Sequence, residues 1–222
     1  MQNAIIWFCD MKRCFIIAAG DKDCYIPPIL QDDYVIAADR GFELCGKMGI
    51  KPDLAVGDWD SLDSPPEGCP VINLPVEKDD TDTLAAIKIG LDKGFNEFHI
   101  LFGAGGKRVD HTLANIQCLL YLSKRKKSGY LYFKESVITA VTNGFLHFLN
   151  NVQGDLAIFA ADGTAHGVYE WGLKYSLDNA DVSCDFPIGV SNSFTGQESG
   201  IKVKDGSLYI VFPKEVFPCE RS

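Results

Sequence analysis

Through the first 135 or so residues, short unbroken apolar runs alternate with stretches whose apolar positions recur every three to four residues. The runs are residues 15–20, 34–39, 54–56, 71–74 and 98–102, several of them closed by Gly or Asp. A run without polar alternation reads as a strand covered on both faces, so these five predict a parallel sheet between helices. Two helices are predicted between the later strands. In the first, Leu84, Ile87 and Leu91 fall on one face, Thr81 or Asp80 can cap the start, and Gly94 stops it. In the second, Leu113, Ile116 and Leu120 repeat the spacing, and the basic run 124–127 suits a helix C-terminus. Residues 130–133 can add one more strand.

After about residue 136 the pattern changes. Residues 137–141, 156–159, 200–203 and 208–212 are strand-like, and no amphipathic helix of useful length separates them. Asn143-Gly144, Asp162-Gly163 and Asp205-Gly206 are turn signals, and the last, between two strands, predicts a hairpin. The fold expected is therefore α/β: an N-terminal Rossmann-like parallel sheet flanked by helices over residues 1–136, then a small antiparallel β-sandwich over 137–222.

Composition narrows the class. A chain of 222 residues with 46% apolar and 23% charged residues is that of a soluble globular protein. The net charge of −9 disfavours a nucleic-acid surface, which needs a basic face. No apolar stretch approaches the roughly 20 residues that cross a bilayer, and residues 1–9 lack the form of a signal peptide. The 8 cysteines show neither a CxxC pair nor zinc-type spacing, which suits reduced thiols in a cytoplasmic protein.

The candidate chemistry lies in aspartates placed where strands end or helices begin. They occur in Gly57-Asp58-Trp59-Asp60-Ser61-Leu62, in Lys78-Asp79-Asp80-Thr81-Asp82 and at Asp110. Carboxylates this dense repel one another unless a cation sits among them, and hard oxygen ligands suit Mg²⁺ carrying substrate phosphates. Alternate residues of an extended segment point the same way, so Asp58 and Asp60 can meet one ion. Asp and Gly also favour turns, and acids favour helix starts, so each cluster alone has a structural reading as well. Lys78, Lys107 and Arg108 are donors that a polyphosphate needs. Gly103-Ala104-Gly105-Gly106 leads into a helix, where bare N–H groups can cradle phosphate, although it matches neither a dinucleotide fingerprint nor a Walker A loop. His111 suits a structural hydrogen bond better than a base, and Asn115 can orient it or face the sheet. In an open parallel sheet, Asp39, Asp58, Asp60 and the glycine loop come to one edge, at the carboxyl ends of the strands. Together these point to a Mg²⁺-dependent enzyme acting on a nucleoside triphosphate.

Ala38-Asp39-Arg40-Gly41, the two aspartate motifs and Gly105-Gly106-Lys107-Arg108-Val109-Asp110-His111 occur in the order seen in thiamine pyrophosphokinases. Gly172-Leu173-Lys174-Tyr175-Ser176-Leu177 and Val190-Ser191-Asn192-Ser193-Phe194 also resemble that family, so the likeness runs from about residue 15 to 212. Arg40 stands where a glycine is usual, and Trp59 where Phe is common. The resemblance implies transfer of pyrophosphate from ATP to the hydroxyl of thiamine, giving thiamine diphosphate and AMP. It implies Asp58, Asp60, Asp79 and Asp82 as Mg²⁺ ligands, and Lys78 and Arg108 on phosphate. Asp110 would orient Arg108 or the attacking hydroxyl, and Asp39, Gly105, Gly106 and His111 would line the ATP site. Tyr175, Ser191, Asn192 and Ser193 would bind thiamine, in a homodimer whose site is shared between subunits. Two other classes fit parts of the pattern: a carboxylate-pair glycosidase, and a non-catalytic nucleotide-binding regulator.

Overall fold

The computed structural model describes residues 12–20, 23–59 and 66–221. Residues 1–9, read above as lacking a leader, and Asp60, Ser61 and Leu62 lie outside them. The chain forms two compact units, one built from residues up to 118 with 129–134, the other from 119–128 with 135–222.

In the first unit, β1 (Arg13–Ile17), β2 (Tyr34–Ala38), β3 (Leu54–Gly57), β4 (Val71–Asn73), β5 (Glu97–Leu101) and β6 (Ser128–Tyr132) lie in the order β6-β5-β1-β2-β3-β4. The β1–β2, β1–β5, β2–β3 and β3–β4 ladders are all parallel. Every residue of β1, β3, β5 and β6 is buried, whereas β4, expected from the run 71–74 to be covered on both faces, is the edge strand and leaves Ile72 and Asn73 exposed. The helices are α1 (Gly41–Met48), α2 (Asp82–Asp92) and α3 (Val109–Ser123). Thr81 caps α2, its hydroxyl accepting from the Leu84 N–H at 3.2 Å.

The 8-residue α1, not among the helices predicted from the sequence, buries Gly41, Leu44 and Cys45 on one face and ends at left-handed Gly49. Contact also places it. A Cβ on Gly41 would stand 1.9 Å from the Ile17 carbonyl oxygen, so only glycine lets the helix start approach the end of β1 this closely. The polar residues inside this sheet are partnered. Arg13 holds Asp33 bidentately, and His99 bridges Glu97 (2.8 Å) and the Tyr132 hydroxyl (2.7 Å).

The second unit has two antiparallel sheets. One contains β7 (Ser136–Thr142), β9 (Asp155–Ala160), β12 (Asn192–Ser193) and β14 (Ser207–Pro213), in the order β12-β9-β14-β7. The other is formed by β8 (Phe145–Phe148), β10 (Thr164–Trp171), β11 (Leu177–Ser183), β13 (Ser199–Asp205) and β15 (Glu220–Arg221), in the order β11-β10-β13-β8-β15. Phe148 of β8 meets Phe212 of β14 edge-on at 5.7 Å, so side chains of the two sheets share a core.

The hairpin expected at Asp205-Gly206 does not form. β13 and β14 belong to different sheets, β14 pairing with β7 and β9. Gly206 has φ 108°, and a Cβ there would lie 2.9 Å from the Ala165 Cα, so the turn is a corner carrying the chain from one sheet to the other. Asn143-Gly144 and Asp162-Gly163 are corners of the same kind, between β7 and β8 and between β9 and β10. Two of the corners are tied together: the Asn143 N–H donates to the Gly206 carbonyl (3.0 Å), and the Gly206 N–H to Asn143 Oδ1 (2.8 Å).

Candidate functional site

The strand order of the first unit reverses at β1, which has β2 on one side and β5 on the other. Crevices for ligands open at such points, beyond the carboxyl ends of the strands. A cavity of about 690 Å³ lies there, lined by Ala18–Gly20 after β1, Asp39 and Arg40 after β2, and the glycine loop after β5. Asp82, Arg108, His111 and Thr112 complete its polar wall.

Each wall has a local cause. Asp39 sits in the left-handed region (φ 50°), where its N–H donates to the Val56 carbonyl (2.8 Å) and its own carbonyl accepts from Phe42 (3.1 Å). The glycine loop is held from α3. Asn115, 4% exposed, donates to the Gly103 carbonyl at 2.6 Å, and the Thr112 hydroxyl accepts from the Gly105 N–H at 3.0 Å. Gly105 and Gly106 take φ values of 77° and 73°, which a side chain would resist. Asn115 therefore faces the loop, and its signal in the sequence was a polar residue on the apolar side of a helix. Thr112 gave no signal. His111 is exposed at the cavity edge.

The aspartate motifs separate by role. Lys78 bonds Asp58 (3.3 Å) and Asp82 (2.9 Å) at once, so carboxylates from the end of β3 and the start of α2 converge on one cation. Burial by itself would lower the Lys78 pKa, but the hydrogen bond and charge of Asp82, then those of Asp58, outweigh it and hold the ammonium above its ordinary value. Trp59, next to Asp58, has φ 59° and is pinned by its indole N–H to Asn73 Oδ1 (2.7 Å). Asp80 turns away to Lys88 (2.6 Å), and Asp79 is exposed. Asp60 lies outside the described residues, among which no three His, Cys, Asp or Glu side chains form a ready-made metal cluster. Arg108 grips Asp110 bidentately, at 3.0 and 2.7 Å, with both side chains exposed. That hydrogen bond draws the Asp110 pKa down to about 2.

In the second unit, the segments 172–175 and 192–194 are bonded together. The Lys174 N–H donates to the Ser193 carbonyl (2.9 Å), and Leu173 bridges Phe194. Asn192, 3% exposed, clamps Tyr175: its Oδ1 accepts from the Tyr175 N–H (2.9 Å) and its Nδ2 donates to the Tyr175 carbonyl (2.8 Å). The Tyr175 ring is left 58% exposed, with the Lys174 ammonium 5.2 Å from its centroid. Ser191 is exposed with φ 65°. Behind the clamp stands Glu170 of β10, 3% exposed. Burial raises its pKa to about 7, against a hydrogen bond from Asn192 that lowers it. Sequence reading missed Glu170, because an acid within an alternating strand looks like a solvent-facing residue.

Residues 29–131 match the family described as "Thiamin pyrophosphokinase, catalytic domain", and residues 151–208 match "Thiamin pyrophosphokinase, vitamin B1 binding domain". The chain belongs to the thiamine pyrophosphokinase family. It is 27% identical over 212 residues to the thiamine pyrophosphokinase of Bacillus subtilis (strain 168), covering 90% of this chain and 98% of the relative. The crystal structure of thiamine pyrophosphokinase from Bacillus subtilis superposes with a TM-score of 0.80 at 25% identity, over 90% of this chain and 98% of that one. A thiamin pyrophosphokinase family protein from Enterococcus faecalis gives 0.74 at 26% identity, over 91% and 99%. Within the thiamine pyrophosphokinase framework, the cavity wall apart from Ala18–Gly20, and Lys78 with its two aspartates, fall in the catalytic match, and the Tyr175–Asn192 clamp in the vitamin-binding match. No helix among the described residues is long and apolar enough to cross a membrane.

Proposed function

We propose that the protein is an ATP:thiamine diphosphotransferase, moving the terminal pyrophosphoryl group of ATP to the hydroxyethyl oxygen of thiamine and releasing AMP. The observation that carries this reading is the cavity at the strand reversal. There Asp82, Arg108 and a glycine loop with left-handed backbone face one space, in a member of this family. We take its first unit as a Rossmann-like nucleotide-binding domain and its second as a thiamine-binding sandwich, near the boundary 1–136 and 137–222.

Asp58 and Asp82 converge on the Lys78 ammonium, and a pair of carboxylates suits a Mg²⁺ ion that takes its other ligands from water and phosphate. We assign these two, with Asp60 and Asp79, as the residues that would hold it. When bound, Mg²⁺ supplies charge neutralisation on the β- and γ-phosphate oxygens. The chain's own groups do the rest. The glycine loop and Asp39 line the nucleotide crevice, with His111 at its edge. Arg108, its fork held by Asp110, and Lys78 meet phosphate oxygens. The thiamine oxygen attacks the β-phosphorus, the bond from that phosphorus to the α,β-bridging oxygen breaks, and the alcohol proton passes to a carboxylate of this cluster. Positioning and fixed charge supply most of the rate in such transfers.

Thiamine is cationic, with two flat rings. The exposed face of Tyr175 suits it, with Ser191 and Ser193 as polar contacts and Asn192 holding the segment. We propose a cytoplasmic homodimer in which one subunit's clamp serves the other's cavity. The test is AMP formation from ATP with Mg²⁺, with and without thiamine. Thiamine-dependent AMP and a thiamine product heavier by two phosphates support the reading. ATP binding without turnover would leave a nucleotide-binding regulator, and thiamine-independent AMP another Mg²⁺-dependent nucleotide enzyme. A glycosidase would need an acid in an apolar groove, whereas the carboxylates here are met by Lys78 and Arg108.

A further inference from the structure

The second unit holds a cluster that phosphoryl transfer does not use. Cys219, just before β15, places its Sγ 3.4 Å from His147 Nδ1 on β8. The other ring nitrogen, Nε2, lies 2.7 Å from Glu198 Oε1, one residue before β13. The imidazole is thus bracketed by a thiol and a carboxylate. Two ladders fix the grouping. β13 pairs with β8, setting Gly200 opposite His147, while β15 pairs with β8 from the other side. The Cys219 N–H donates to the His147 carbonyl at 2.7 Å, which holds the thiol beside the ring.

The geometry points to Cys219 as a nucleophilic thiol, a site of covalent modification by small soft electrophiles, low-molecular-weight disulfides among them. A carboxylate accepting from Nε2–H selects the tautomer whose Nδ1 lone pair faces the thiol, so that Nδ1 takes the thiol proton and the imidazolium is steadied by Glu198. In exchange with a disulfide, the Cys219 sulfur bonds to one disulfide sulfur and the old S–S bond breaks. The departing thiolate carries the electron pair and takes up the proton that His147 received. Burial pushes Cys24 up to about 11 and Cys45 and Cys118 up to about 12, and it raises Cys14 and Cys69 as well. Thiols so raised are inert at neutral pH. Cys219 and His147 are partly accessible and Glu198 is exposed, so a reagent can reach the cluster.

Cys219 also has a plainer partner, since its thiol lies 3.2 Å from the His147 carbonyl, an arrangement that would only anchor the strand. Competitive labelling separates the two. The full-length protein is treated with limiting iodoacetamide at neutral pH, and peptide masses give the rate at each cysteine, with exposed Cys184 as internal reference. Cys219 should react about tenfold faster than Cys184. His147→Gln should bring it to the reference rate or below, and Glu198→Gln should slow it a few-fold. Oxidised glutathione should add one glutathione mass at Cys219 first. A Cys219 rate no higher than that of Cys184, or one unchanged in both variants, overturns the proposal. Glu198→Gln alters only an exposed side chain, so it decides the matter even where His147→Gln fails to fold.

Discussion

Glu170→Gln should make the second unit more stable at alkaline pH and change little near pH 5. The Glu170 carboxyl is 3% exposed on β10, and burial lifts its pKa from an ordinary 4.5 to about 7. A raised folded-state pKa means that the folded chain binds more protons than the unfolded one between those two values. The contribution of this group is therefore fully present below about pH 4.5, declines as pH rises through 7, and is flat above that. At ~1.4 kcal/mol per pH unit, the whole window is worth roughly 3 kcal/mol. Glutamine has nearly the same shape, can accept from Asn192, and cannot ionise, so the variant should escape this loss. Comparing variant with wild type at each pH cancels the titration of all other groups. Urea-dependent hydrogen exchange of β10 and β11 peptides at pH 5, 6, 7 and 8 reads the second unit without assuming that both units unfold together. The advantage of the variant should grow by roughly 2–3 kcal/mol across that range, about 1 M or more in urea midpoint. A flat difference, or one that favours wild type as pH rises, would show that the folded carboxyl is solvated and the burial argument mistaken.

Asp58→Asn and Asp82→Asn should each lower turnover by about a hundredfold or more, with stability little changed, since each removes a charge from the assembly around Lys78; wild-type turnover at saturating Mg²⁺ in either variant removes that residue from the ligand set. Arg108→Lys should raise the ATP KM and leave the thiamine KM within a few-fold, because an ammonium does not reproduce the fork; steady-state kinetics in both substrates decide it. Tyr175→Ala should raise the thiamine KM about tenfold, worth ~1.4 kcal/mol. Mixing it with Asp58→Asn should restore partial activity if subunits exchange, and no recovery after proven exchange would exclude a shared site. Thr81→Ala removes the α2 cap and should cost about 1 kcal/mol of stability, read by thermal unfolding.

Much of the first unit is legible in its residues. Apolar runs mark strands buried on both faces because a polar residue there needs a buried partner, as Glu97 and His99 of β5 have, and β1, β2, β3 and β5 lie where those runs do. The period of Leu84, Ile87 and Leu91 and the Thr81 cap locate α2 for equally local reasons. The convergence of aspartates and glycines on one edge also follows from sequence, because parallel strands end on the same side. Other features depend on contacts between distant segments. Asp205-Gly206 has the residues of a hairpin, but whether the chain doubles back or crosses to another sheet depends on which strands β14 meets, and those are β7 and β9. Helix α1 is too short for its pattern to stand out, and the close fit of its Gly41 against the end of β1 is a tertiary contact. Lys78 lies beside Asp79 in the chain, yet folding joins it to Asp58, 20 residues earlier, and to Asp82 at the start of α2. Glu170 and the Cys219, His147 and Glu198 group carry no local signal at all. A carboxylate's pKa is set by the atoms packed around it, and a thiol's partners by strand register, and only the tertiary structure decides either.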